Sequence, residues 1–248
     1  MKSIKLKSAG LVVLLALFFS ACKQPQVIDP DAEITLKYTN QVDGSDIQYG
    51  VRKYTNASGN SYQVDMLKYY ISNVILFDTK GGSVTVPDYF LVDGKKADQQ
   101  SFTINKVPNG TYNKIRFYMG VDPVRNHTGA QDGFLDPSYG MIWSWNLGYI
   151  FMKHEGQFLD ASSNPAAISH HLGLDQYLPQ IEVALPNIEV KGEDKILNLN
   201  FNLNQVYQNP HTIDFNSDKI RHSTGADTTF ARKMKENLGD AFSFGSFN

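Results

Sequence analysis

Residues 195–204 read KILNLNFNLN, a stretch in which Leu197, Leu199, Phe201 and Leu203 alternate with Asn198, Asn200, Asn202 and Asn204. Successive side chains of an extended chain point to opposite faces, so the segment predicts a strand with one apolar face and one amide-bearing face. The same period of two recurs in Ile34, Leu36 and Tyr38 and, after Tyr112, in Ile115, Phe117 and Met119. Shorter β-rich runs at 84–86, 89–92, 102–104, 149–153 and 181–185 lie between turn signals such as Gly81-Gly82 and Pro108-Asn109-Gly110. Many strands at this spacing predict an all-β chain, an antiparallel sandwich or barrel-like domain with long loops. One C-terminal helix is expected, where Asp227 can cap a segment whose Phe230, Met234 and Leu238 fall four apart and Gly239 follows as a stop.

The chain begins with Lys2, Lys5 and Lys7, an apolar run from Ala9 through Phe19, and then Ser20-Ala21-Cys22. A charged start, an apolar middle and small residues before the cut predict a lipoprotein signal peptide over 1–21, with Cys22 as the lipidated first residue of the mature protein. The apolar run is shorter than the roughly 20 residues a membrane-spanning helix needs. Residues 22–30, with two prolines, read as the lipidated end and its tether, and 31–248 as one β domain. The expected location is extracytoplasmic, in the periplasm or at the outer membrane, with the membrane as a partner through the lipid. Cys22 is the only cysteine, so no disulfide forms within one chain. Removing the signal peptide takes away three lysines and no acid, moving the net charge from −2 to −5. That charge argues against nucleic acid as a partner.

No G-x-S-x-G elbow, P-loop or H-E-x-x-H motif occurs, and no residue set supports a catalytic role, so a non-enzymatic protein is expected. The histidines, His127, His154, His170, His171, His211 and His222, lack the fixed short spacing of a zinc motif. His170 and His171 are neighbours that a strand turns to opposite faces. Met119, Met141 and Met152 are soft donors that would favour copper beside imidazoles, although methionine more often fills core. Asp122, Asp132 and Asp136 offer hard oxygen ligands in a glycine-containing loop but match no EF-hand, and stabilising turns is their simpler use. Both tryptophans fall in the irregular stretch 122–146, which contains Met141-Ile142-Trp143-Ser144-Trp145-Asn146. Two indoles on one face either pack the loop to the sheet or stack a ligand ring.

With Leu67-Lys68-Tyr69-Tyr70-Ile71-Ser72-Asn73-Val74, Gly120-Val121-Asp122, Leu135-Asp136-Pro137, Met141 through Tyr149, Glu155-Gly156 and His171-Leu172-Gly173, the sequence resembles the MbnP-like family of periplasmic copper-binding proteins. That family is related to the methanotroph surface copper proteins CorA and MopE. The resemblance covers most of the chain after residue 30, and M-x-W-x-W-N-x-G-Y is its specific part. It implies a copper ion held by histidines, with a tryptophan oxidised to kynurenine by a partner diheme enzyme of the cytochrome c peroxidase type. Opening the indole would turn a side chain without a metal-binding lone pair into one that has them. On this basis His171 is the first candidate ligand, followed by His222, His127 and His154. Met141 is a candidate soft ligand, and Trp143 or Trp145 is the residue to be modified. The expected function is copper capture or storage. The rival is a non-metal ligand- or glycan-binding surface lipoprotein that uses Trp143 and Trp145 as an aromatic platform.

Overall fold

The computed structural model describes residues 31–129, 131–144, 146–224 and 228–248. The expected signal peptide, Cys22 and its tether, Trp145 and the helix-capping Asp227 therefore lie outside the described residues. In chain order the elements are β1 (Ala32–Val42), β2 (Ser45–Asp46), β3 (Tyr54–Thr55), β4 (Ser61–Asp78), β5 (Ser83–Asp93), β6 (Ser101–Val107), β7 (Gly110–Tyr118) and α1 (Pro123–Asn126). They continue with β8 (Ile142–Ser144), β9 (Gly148–Leu159), β10 (Pro165–Gly173), β11 (Gln180–Val190), β12 (Lys195–Asn202), α2 (Phe215–Asp218), β13 (Ile220–His222), α3 (Thr229–Leu238) and β14 (Phe242–Phe247). Among the described residues no helix is long and apolar enough to cross a membrane.

Two sheets face each other. One runs β14-β12-β1-β2 with β6 also on β1, and the other runs β11-β7-β4-β9-β10-β13 with β3 and β5 on β4. Neither closes into a barrel. The alternation in β1 and β12 sends Ile34, Leu36, Tyr38, Leu197, Leu199 and Phe201 inward. Tyr38 of the first sheet meets Tyr69 and Phe117 of the second edge to face, and Phe242 closes the cluster. Burying side chains of this size contributes roughly 1.5–3 kcal/mol each. The expectation of antiparallel pairing needs one refinement, because β1 pairs β12 in parallel and β10 pairs β13 in parallel. In both cases the chain crosses over through intervening structure, which is what parallel neighbours require.

The 18-residue strand β4 spans the second sheet: its first half pairs β9 and its second half pairs β7 and β5. Tyr69 enters the main core while the adjacent Tyr70 enters a smaller one on the outer face, with Leu91, Val121, Leu135, Met141, Tyr149, Ile150 and Phe151. The loop 119–147 covers that face and is tied down by polar bonds. Tyr70 Oη donates to the Phe134 carbonyl at 3.0 Å, and Tyr149 Oη donates to that of Leu135 at 2.8 Å. Asn126 Oδ1 accepts from the Tyr149 amide at 2.7 Å. The three loop aspartates divide as turn residues do. Asp122 caps α1 and Asp136 caps a single 3₁₀ turn, whereas Asp132 precedes a turn without a side-chain cap. Helix α3 follows the expected four-residue spacing, with Phe230, Met234 and Leu238 buried and Gly239 at its C-terminal end.

Candidate metal site

Strand β10 alternates Ile168, His170 and Leu172 inward with Ser169, His171 and Gly173 outward. The register then sets the neighbours: His171 stands opposite His222 on β13 and opposite Lys153 on β9, and Ser169 stands opposite Glu155. Three strands, β9, β10 and β13, thus bring these side chains together on the outer face of the sheet. The imidazoles of His171 and His222 stack with centroids 4.1 Å apart and planes 4° from parallel. His171 Nε2 lies 2.9 Å from Glu155 Oε1, and Ser169 Oγ lies 3.1 Å from His222 Nε2 and 3.4 Å from His171 Nε2. Lys153 Nζ stands 3.5 Å from the same Glu155 oxygen. Beyond His222 the chain is locked to β10, since the Ser223 amide donates to the His171 carbonyl and Ser223 Oγ accepts from the Gly173 amide.

Burial brings the His171 pKa down to about 4; the Glu155 bond opposes that shift, and nearby His222 and Lys153 reinforce it. His222 is lowered as well, by burial first, with Glu155 pulling the other way. For Glu155, burial alone would raise the pKa, but the bonds and charges of His171 and Lys153 outweigh it and hold the carboxyl below its ordinary range. At neutral pH the site therefore presents two uncharged imidazoles beside a carboxylate. That is the protonation state a metal needs in order to bind without first displacing protons.

Trp143 lies across the same surface. A Cβ on Gly173 would come within 2.4 Å of its Cζ3, so the indole rests on the bare backbone two residues beyond His171. Its Nε1 is buried and meets no acceptor among the described residues. Gly173→Ala is expected to push the indole off the sheet, since the new methyl would also meet the Tyr149 carbonyl at 2.6 Å. In a Trp145→Phe background this should appear as a red shift of the remaining tryptophan emission with a lowered Tm, and an unmoved spectrum would contradict the packing.

The other sequence candidates fall elsewhere. His154 and His170 face the main core with no exposure, and their Nδ1 atoms lie 2.5 and 3.0 Å from the single hydroxyl of Tyr207. His127 bonds Asp175 at 3.0 Å and His211 bonds Glu236. Met141 is buried in the smaller core, and Met119 and Met152 are buried in the main one, the filling role methionine usually has. Among the described residues no group of three or more His, Cys, Asp or Glu side chains forms a ready-made metal cage. The stacking explains part of this. Imidazole lone pairs lie in the ring plane, so two parallel rings 4.1 Å apart cannot both reach one ion at about 2 Å, and one ring has to turn. Two neutral imidazoles are nonetheless a donor set that suits copper, and the residues fit the ion in kind. Glu155, Lys153 and Ser169 were not singled out by spacing, because only strand register brings them to the histidines. A groove of about 570 Å³ lined by residues 88–90, 125 and 131–135 contains neither Trp143 nor any histidine.

The MbnP family model matches residues 31–225. Among solved structures, MbnP from Methylosinus trichosporium superposes with a TM-score of 0.58 at 14% identity, covering 86% of this chain and 98% of that one. No curated protein matches the sequence.

Proposed function

Since the chain belongs to the MbnP family, we propose that it is a copper-binding protein that captures or stores the ion outside the cytoplasm, held to a membrane through lipid on Cys22. The observation that supports this most is the pairing of His171 with His222 beside Trp143, from segments about 50 residues apart, in a fold that the sequence resemblance had implied. Copper would be held by these two imidazoles. His127 and His154, bonded to Asp175 and Tyr207, are not needed for it. The protein works as a binder rather than an enzyme.

The indole of Trp143 is the residue we place next to the ion after conversion to kynurenine. The conversion is an oxidative cleavage of the indole C2–C3 bond followed by hydrolytic loss of C2 as formate. Two molecules of hydrogen peroxide supply the four oxidising equivalents and the two oxygen atoms, and are reduced to two waters at the diheme partner of the cytochrome c peroxidase type. The product carries an aryl amine and a ketone, both with lone pairs that indole lacks. The six-membered ring of Trp143 lies against Gly173, which suits a residue that meets one ion beside the sheet better than an open platform for a sugar ring.

Elemental analysis and peptide mass spectrometry on protein from its native host test the reading. Near-stoichiometric copper is expected, with a shift of about +4 Da on the peptide holding Trp143, the net loss of one carbon and gain of one oxygen. His171→Ala and His222→Ala should each lower copper content at least tenfold while the circular dichroism spectrum of the fold persists. Wild-type protein that takes up no copper on titration would end this reading.

A further inference from the structure

The hydrogen bonds around the histidine pair fix more than its position. A carboxylate can only accept, so the 2.9 Å contact between Glu155 Oε1 and His171 Nε2 places a hydrogen on that nitrogen. A neutral imidazole carries one N–H, which leaves the other nitrogen, Nδ1, with a free lone pair; no protein hydrogen bond to His171 Nδ1 occurs among the described residues. We propose that Glu155 is a positioning residue: it holds His171 as the Nε2-protonated tautomer and thereby makes Nδ1 the nitrogen offered to the metal. The inference rests on the copper reading of the same pair, and it deepens that reading by assigning the atom and the residue that selects it. A carboxylate behind a metal-binding imidazole is a general way of setting ring orientation and ligand basicity.

The neighbours support the assignment. Lys153 is in register with His171 but reaches the Glu155 oxygen, so it holds the carboxylate in place without touching the ring. Ser169 Oγ can accept from either Nε2, yet its own hydrogen can go only to His222, because the lone pair on His171 Nε2 is already taken. His171 is therefore held by a charge-assisted bond, roughly twice as strong as the neutral bond that holds His222. Parallel stacking requires one ring to turn before both can reach an ion, and this asymmetry makes His222 the ring that turns.

Nitrogen-15 NMR of the metal-free chain labelled at histidine reads the tautomer directly. The expected result is a pyrrole-type Nε2 and a pyridine-type Nδ1 for His171, with Nδ1 as the nitrogen that shifts on titration with Ag(I), a diamagnetic substitute for Cu(I). Glu155→Gln, whose amide can donate as well as accept, should mix the two tautomers and weaken Ag(I) binding by about tenfold or more. Lys153→Met should leave the tautomer unchanged, and unperturbed signals from His154 and His170 report that the core of each variant is intact. A pyridine-type Nε2 in the metal-free protein, or silver bound at Nε2, overturns the proposal whatever the affinity. The expected tautomer with no histidine shifted by silver instead overturns the copper reading, and with it the role of Nδ1, while leaving Glu155's hold on the ring intact.

Discussion

Gly156→Ala should destabilise the protein by roughly 3 kcal/mol or more, at the upper end of what overpacking a core costs. Gly156 lies in β9 opposite Val64 of β4, and a Cβ there would stand 2.1 Å from the Gln63 carbonyl oxygen and 3.1 Å from its carbon. Both obstacles are backbone of the long central strand, so relief requires β4 and β9 to separate where they carry most of the second sheet. Gly94→Ala is the informative control. Its Cβ would come within 1.8 Å of an atom, but that atom is the hydroxyl of Tyr49, whose side chain can swing, and the nearest backbone oxygen is at 3.3 Å. A loss of about 1 kcal/mol is expected there. Urea titration of both variants distinguishes them, and equal losses would show that contact distance alone, not the stiffness of what is contacted, governs these sites. Because Gly156 directly follows Glu155, the variant should also weaken the copper binding proposed for the His171–His222 pair by displacing the carboxylate.

The strands were readable where a single face is buried and opaque where both are. In β1 and β12 the outer face meets solvent or amide contacts, and the alternation of Ile34, Leu36 and Tyr38 or of Leu197, Leu199 and Phe201 is clean. In β4 the run Tyr69, Tyr70, Ile71 and Ser72 is buried throughout, because the loop 119–147 lays a second core on the far side. A bulge at Asn73, with φ of 51°, shifts the phase again, and no period survives over the strand. The candidate site follows the same logic. His171 and Trp143 stood out by motif, and His222 as a further candidate, but their juxtaposition depends on a parallel β10–β13 pairing formed after a long crossover. Glu155 and Lys153 join them through register alone, which a linear sequence does not display.

Acid should weaken the fold well before its carboxylates titrate. His154 and His170 are fully buried, and burial is the first cause that lowers both: His170 falls to about 3, and His154 lies well below its ordinary value with His170 and His171 adding to the effect. The hydrogen bonds show why His170 in particular does not accept a proton easily. His170 Nε2 donates to the Asp218 carbonyl at 2.6 Å, so its Nδ1 accepts from Tyr207 Oη, and His154 Nδ1 must then donate to that same oxygen. Protonating His170 at Nδ1 would aim two N–H groups at one phenol and leave the phenol hydrogen without an acceptor. In the unfolded chain both imidazoles take up protons below about pH 6.5. The native state binds fewer protons than the unfolded state below that pH, so stability is fully present above it and falls as pH drops toward the native values. Each unit costs about 1.4 kcal/mol per histidine, which gives on the order of 2–3 kcal/mol from His170 alone at pH 4.5. Between pH 6.5 and about 5 the unfolded carboxylates remain ionised, so the slope in that window belongs to histidine. Urea unfolding of the metal-free protein across this range should show it, and removing His171 and His222 together should leave most of it in place because Tyr207 and its two partners are untouched. A flat profile from pH 7 to pH 5 would mean that the buried pair is already protonated or is reached by water. Since His154 and His170 directly precede Glu155 and His171 on β9 and β10, the same acid that loosens the core should release the site built on its outer face.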